Sequence, residues 1–190
     1  MATDRQVTPL EDLHLADLDP QDKIAPNFRV YELTRSEMAD RLGIDNRLPD
    51  DAVLRAAVNL VREVMQPIRK EFGRFSPNSV YRCQELEEVI KRRPKGWIST
   101  SPHTNGCACD LEIPGKSTLY VAQWAAKHLP VFDQIICECF DPRQGPSSGW
   151  VHVSLRLADQ GENRRQLLSY IRDTRTRRWV TVPRLCEVVP

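Results

Sequence analysis

Three side chains of this 190-residue chain are of the types that hold a metal ion: His103, Asp110 and His152. His103 and Asp110 lie seven residues apart with Gly106 between them, so a sharp turn can fold His103 back over a strand that carries Asp110. Two imidazoles and one carboxylate suit Zn²⁺, and three protein ligands leave the fourth position open for water. Spacing alone also allows a second interpretation, in which a His and an Asp lie in adjacent strands without binding a metal.

Side-chain alternation along the predicted strands 106–113, 132–140 and 150–155 adds a second indication. It places Asp110, Glu138 and His152 on one face of the sheet, together with Trp150 and Ser154. We expect this face to be open, and we expect the opposite face to be buried and to carry Cys107, Cys109, Cys137 and Cys139.

The two Cys-x-Cys pairs allow three interpretations. They can be small buried hydrophobic residues, they can form a cross-strand disulfide, or four thiolates can bind a second, structural zinc. Six cysteines in 190 residues are too few for a disulfide scaffold.

The elements that must position these side chains follow from local signals. Thr34 and Glu37 form a capping box that predicts a helix over 35–42. An apolar face repeating every three or four residues predicts a helix that is capped by Asp50 or Asp51, ends at Gly73 and is kinked or broken at Pro67. We further predict a short strand over 79–82 and helices over 84–92, 118–128 and 162–172.

Helices come first and strands cluster later, which favours an α+β fold with an antiparallel sheet flanked by N-terminal helices. We divide the chain into an acidic N-terminal arm (1–27), a central domain (28–158) and a basic C-terminal helix and tail (159–190). Residues 1–51 hold 6 basic and 12 acidic side chains, whereas residues 156–190 hold 8 basic and 4 acidic ones.

Composition excludes several classes of protein. The net charge of +1 gives no case for nucleic-acid binding, and no apolar run approaches the roughly 18 residues of a membrane span. The first thirty residues show no export signal, so we expect cytoplasmic synthesis. We also expect a monomer.

The motif Ser101-x-His103-x-x-Gly106-x-Ala108-x-Asp110, followed by Trp150-Val-His152-Val-Ser154, closely resembles those of the zinc D-Ala-D-Ala carboxypeptidase family. Further blocks resemble the phage and bacterial branch of that family: 28–46, Gln66-Pro-Ile-Arg69, Ser79-Val-Tyr-Arg82, Asp133-Gln-Ile-Ile-Cys-Glu138 and Asn163-Arg-Arg-Gln166. The resemblance covers residues 27–170. Its wider superfamily includes the hedgehog signalling domain, and the implied fold is of that type.

The resemblance implies His103, Asp110 and His152 as zinc ligands. It implies that Arg82 binds or polarises the substrate and that Ser101 braces the first ligand. Many relatives place a Glu or His just before the last ligand, but this chain has Gly149 and Trp150 there.

A general base must therefore come from another position. Glu138 is our choice because of its facing and its match to a family block, with Asp141 in reserve. Trp150, beside the last ligand, belongs to the surroundings of the metal.

The implied activity is zinc-dependent hydrolysis of peptide bonds in the peptidoglycan stem or cross-link, as in a phage endolysin that acts on the cell wall after release. An alternative is a binding or virion-structural module that keeps the fold without catalysis, and a third reading is a regulatory domain built on cysteine-bound metal.

Overall fold

The computed structural model describes residues 8–173 and 175–185. Its helices are α1 (Glu37–Leu42), α2 (Asp51–Leu60), α3 (Gln66–Phe72), α4 (Gln84–Ile90) and α5 (Thr118–His128). Its strands are β1 (Lys23–Ala25), β2 (Phe28–Arg29), β3 (Ala108–Leu111), β4 (Gln134–Phe140), β5 (Trp150–Ser154), β6 (Gln166–Arg172) and β7 (Trp179–Val182). The described residues therefore form a mixed α+β fold, as the order of predicted elements indicates.

The predicted long helix forms as one continuous helical path with a defect before Pro67. The Asp50 carboxylate caps α2 by accepting a hydrogen bond from the Val53 N–H. A π-helical turn, Val61–Met65, joins α2 to α3 and places Pro67 at the start of α3. Proline lacks an N–H and crowds the preceding turn, and the wider π turn absorbs both effects without breaking the path.

Five of the described strands form one sheet in the order β3-β5-β4-β6-β7. The expected antiparallel arrangement holds for three of the four pairings, but β4 and β6 run parallel. The sheet is therefore mixed, which corrects the prediction of an antiparallel one.

The predicted helix over 162–172 is also wrong, because residues 166–172 form strand β6. The outer edge of β4 offers unpaired backbone groups, and pairing with them outweighs the local helical preference of this segment.

The apolar core lies between one face of the sheet and helices α2, α3 and α5. The described part of the N-terminal arm joins this core, since Leu13, Ile24 and Ala25 are buried within it. The Arg62 guanidinium holds the arm in place by donating to the carbonyls of Ile24 and Thr8, at 3.0 and 2.7 Å. Residues 1–7 of the arm lie outside the described residues.

The predicted short strand over 79–82 is reduced to a single antiparallel bridge between Ser79 and Asp110. The Asp110 N–H donates to the Ser79 carbonyl at 2.9 Å, and the Asn78 N–H donates to the Asp110 carbonyl at 2.8 Å. This segment therefore covers the outer edge of β3. No helix among the described residues is long and apolar enough to cross a membrane.

Candidate metal centre

His103 reaches the sheet through a tight turn. It lies in a short helical turn, Pro102–Asn105, which ends at Gly106 in the left-handed conformation with φ of 69°. A Cβ on Gly106 would lie 2.7 Å from the Val53 carbonyl oxygen of α2, so a larger residue does not fit there. The turn predicted from Gly106 is confirmed, and it directs the His103 imidazole towards β3.

Asp110 and His152 are directly paired across β3 and β5. The His152 Nδ1 lies 2.9 Å from Asp110 Oδ1, and the His103 Nε2 lies 3.3 Å from the same oxygen. All three side chains are buried, and one donor atom from each lies within 4.8 Å of the others. The group that the spacing indicates is therefore brought together by the fold, and it can hold a metal ion.

A backbone contact sets the tautomer of His103. Its Nδ1 lies 2.7 Å from the Val80 carbonyl oxygen, which can only accept a hydrogen bond, so Nδ1 carries the proton. The Nε2 lone pair then faces Asp110 and is available to a metal. Metal-binding histidines in proteins are commonly oriented by such a contact on the other ring nitrogen.

The electrostatics of the group favour a neutral His103 and an ionised Asp110. Burial lowers the pKa of His103 below its ordinary value, although Asp110 acts against this change. Burial by itself raises the pKa of Asp110, but His103, His152 and the Arg82 guanidinium outweigh it and hold the pKa well below the ordinary range. Neutral imidazole and ionised carboxylate are the forms that bind metal.

Arg82 lies between Asp110 and a second carboxylate. Its Nη2 donates to Asp110 Oδ2, its Nη1 donates to Glu87 Oε1 at 3.1 Å, and its Nε donates to Ser79 Oγ at 2.8 Å. The Arg82 side chain also lines the cleft above the metal group. It therefore lies beside the candidate centre, and its role in binding or polarising a substrate stays a prediction.

Sequence reasoning missed Glu87. Its carboxylate lies on α4 and is fully buried. A signal existed, because Glu87 is four residues after Cys83 and three before Ile90, on the inward side of a short helix. A carboxylate at such a position needs a cationic partner, and Arg82 provides it.

Glu138 shares the cleft face of the sheet with His152, as alternation predicts. It pairs with Trp150 across β4 and β5, whereas Ile136 pairs with His152. The Trp150 Nε1–H donates to Glu138 Oε2 at 3.0 Å. These four residues, with His103 and Asp110, line one cleft of about 970 Å³.

A close backbone approach explains why position 149 has no acidic side chain in this protein. A Cβ on Gly149 would lie 2.1 Å from the Glu138 carbonyl oxygen, and φ at Gly149 is 67°. Opposite it, β4 has an irregular register between Glu138 and Phe140, with a φ of 54° at Cys139. The strand end therefore bulges against Gly149, and a carboxylate at 149 would not fit.

Asp141, the reserve base, lies just beyond β4. Its carboxylate caps the turn Pro142–Gln144 by accepting from the Arg143 N–H, and it lies 3.7 Å from Arg172 Nη1. Asp141 is not among the side chains that line the cleft.

The loop before His103 is hydrogen-bonded to Ser99, whose hydroxyl also donates to Glu87. The Ser101 N–H donates to Ser99 Oγ at 3.1 Å, and the Ser101 carbonyl accepts from the Thr104 hydroxyl at 2.8 Å. Ser101 thus holds the His103 turn through its backbone.

The cysteine pairs do not lie on neighbouring strands. Strand β5 lies between β3 and β4, which places the pairs roughly 10 Å apart at the usual strand spacing. Cys109 and Cys137 are fully buried on the core side, while Cys139 is half-buried at the bulge. Burial raises the pKa of Cys107 to about 11.

Cys107, Cys109 and Cys139 are free thiols, so no cross-strand disulfide links the two pairs. Among the described residues, the side chains placed to hold a metal ion are His103, Asp110 and His152. The cysteines form no such group there. Cys186 lies outside the described residues.

Comparison of the chain with protein-family models finds no match. Comparison with curated proteins finds none either.

Proposed function

We propose that this protein is a zinc metallopeptidase that hydrolyses peptide bonds of the peptidoglycan stem or cross-link, in the manner of an endolysin. One observation carries the proposal: three buried metal-binding groups converge at the wall of a cleft that Glu138 also lines. The resemblance of the two histidine motifs to the zinc D-Ala-D-Ala carboxypeptidase family supports it and supplies the substrate class.

The donor set favours zinc. Two imidazole nitrogens and one carboxylate oxygen match its usual ligands, and three protein ligands are typical of catalytic rather than structural sites. A bound zinc ion supplies Lewis-acid activation of water and of the substrate carbonyl.

The residues of the chain have separate tasks in this proposal. Glu138 takes the proton from the attacking water and passes it to the leaving amine. The Trp150 indole N–H holds the Glu138 carboxylate in the cleft through Oε2. Arg82 contributes positive charge beside the carbonyl oxygen on which negative charge develops.

The cleft is suited to a charged peptide. Its lining includes cationic side chains at Arg35, Lys91 and Arg93, with carboxylates at Glu112 and Glu138. A volume of about 970 Å³ lies at the upper end of the range for small-molecule sites, which accommodates several residues of a stem peptide.

Mass spectrometry of purified peptidoglycan after digestion tests the proposal. We expect new amine and carboxyl termini that disappear with a chelator and return when zinc is added back. His152→Ala should abolish them, and His128→Ala is the matched control, because His128 is exposed and lies at the end of α5.

Binding of one zinc ion without cleavage of any peptidoglycan bond would contradict the peptidase assignment. That result would favour the alternative, a binding or virion-structural module.

A further inference from the structure

The carboxylate of Glu87 is fully buried, although it belongs neither to the metal-holding group nor to the lining of the cleft. A charge in such a position is costly unless it is paired and hydrogen-bonded. Two contacts satisfy it: Arg82 Nη1 lies 3.1 Å from Oε1, and Ser99 Oγ donates to Oε2 at 3.1 Å. Arg82 is the cation that forms an ion pair with it within the described residues.

Arg82 connects this carboxylate to the metal-holding group. Its side chain is only 13% exposed, and its Nη2 donates to Asp110 Oδ2 while its Nη1 is held by Glu87. The guanidinium is planar, so fixing Nη1 and Nε also fixes the direction of Nη2. Glu87 and Ser79 therefore aim Arg82 at Asp110.

The charges make a second role possible. Because Arg82 contacts Asp110, a divalent cation held by His103, Asp110 and His152 would lie close to the positive charge of Arg82, and the two would repel each other strongly in a buried setting. The single negative charge of Asp110 cannot balance both. Glu87 supplies the additional negative charge on the far side of Arg82.

We propose that Glu87 is a positioning residue of the metal centre that acts through Arg82. It orients the guanidinium towards Asp110 and balances its charge, so that a divalent metal ion binds beside it. The inference depends on the metal centre but not on peptidase activity, because its primary readout is metal affinity.

The test is zinc affinity, measured by competition with a chromophoric chelator at fixed pH and ionic strength. Glu87→Gln keeps the shape of the side chain but leaves Arg82 without its balancing charge. We expect the zinc dissociation constant to rise about tenfold or more, as is typical of residues that support metal ligands. Glu85→Gln is the matched control, since Glu85 is exposed on the same helix, and it should change the constant less than twofold.

A second variant separates this role from a purely structural one. In Glu87→Gln/Arg82→Met the uncompensated positive charge is gone, so zinc should bind more tightly than in Glu87→Gln. A structural role predicts the opposite, because the double variant removes further contacts. Circular dichroism checks that each variant is folded. Glu87→Asp replaces Glu87→Gln if the latter does not fold; its shorter side chain reaches less far towards Arg82, so the zinc dissociation constant should rise in this variant as well.

A dissociation constant for Glu87→Gln within twofold of the wild type would overturn the inference. A double variant that binds zinc no more tightly than Glu87→Gln would also overturn it. A wild type that binds zinc but cleaves no peptide would overturn the proposed function alone.

Discussion

Asp110 and Cys109 are neighbours on β3, both are buried, and they face opposite sides of the same sheet. Burial, with a further contribution from Asp110, raises the pKa of the Cys109 thiol well above its ordinary value. Asp110 experiences the same penalty from burial, yet His103, His152 and Arg82 hold its pKa well below the ordinary range. The partners of a buried group, and not its depth, therefore decide its protonation state.

Removal of a candidate ligand on the cleft face should have the largest effect on zinc binding and hydrolysis. His152→Ala should lose stoichiometric zinc and peptide hydrolysis, because two protein ligands rarely retain zinc. Cys109→Ala, on the core face of the adjacent strand, should keep both and lose about 1 kcal/mol of unfolding free energy. Metal analysis of the two purified variants checks this, and full activity in His152→Ala would remove His152 from the site.

Glu138→Gln should keep zinc and the fold but lower the turnover number by about 10²- to 10⁴-fold, the usual contribution of a general base. The amide still accepts the hydrogen bond from the Trp150 indole, so the local packing is preserved. Steady-state kinetics on a soluble stem peptide measures the change. An unchanged turnover number would assign the base to another residue, such as Asp141.

The metal-free protein should lose stability in acid in two stages. The native pKa of His103 is lowered, so the unfolded chain takes up a proton near the ordinary value of 6.5 before the native state does. The free energy of unfolding should therefore fall as the pH drops below about 6.5 towards the native pKa of His103.

The second stage belongs to Asp110. Its pKa is lowered from 3.8, so its contribution is present above that value and is lost as the pH falls towards the native pKa. Urea unfolding at a series of pH values measures both stages. In His103→Gln the free energy of unfolding should fall less steeply below pH 6.5 than in the wild type. An equally steep fall in that variant would show that other groups cause the first stage.

The buried thiols should react very slowly with alkylating reagents in the native protein. Burial raises the pKa of Cys107 to about 11, so very little thiolate exists at pH 8. Iodoacetamide should therefore modify Cys107 in the native protein far more slowly than in urea, as followed by peptide mass spectrometry. Cys107→Ser should still bind one zinc ion, and loss of zinc in that variant would favour a cysteine-bound metal.

The smallest expected effect concerns the exposed arginines between β6 and β7. Arg164 pairs with Asp133, and Arg172 lies 3.7 Å from Asp141, whereas Arg175, Arg177 and Arg178 are exposed. Neutralising these three should weaken co-sedimentation with anionic envelope fragments at low salt, where screening is weak. Cleavage of a small soluble peptide should not change, and equal sedimentation of wild type and variant would exclude this role.

Local patterns were sufficient for much of this molecule. Helix α5 has the predicted bounds, and the alternation that placed Asp110, Glu138 and His152 on one face is confirmed by the strand register. Period-two alternation and helix capping depend on residues close in sequence, so they are visible without a structure. Two members of the candidate metal-holding group, His103 and Asp110, could be predicted for the same reason, because a single turn separates them. His152 is distant in sequence and was added by strand alternation and by the motif resemblance.

Tertiary structure decided the features that depend on contacts between residues far apart in the sequence. Residues 166–172 became a strand because the edge of β4 was available to pair with them, and the order β3-β5-β4 separated the cysteine pairs. Glu87 is linked to the candidate metal-holding group because α4 packs its carboxylate against Arg82. Strand order and the pairing of buried charges are set by which surfaces meet in space, and the spacing of residues along one chain does not contain that information.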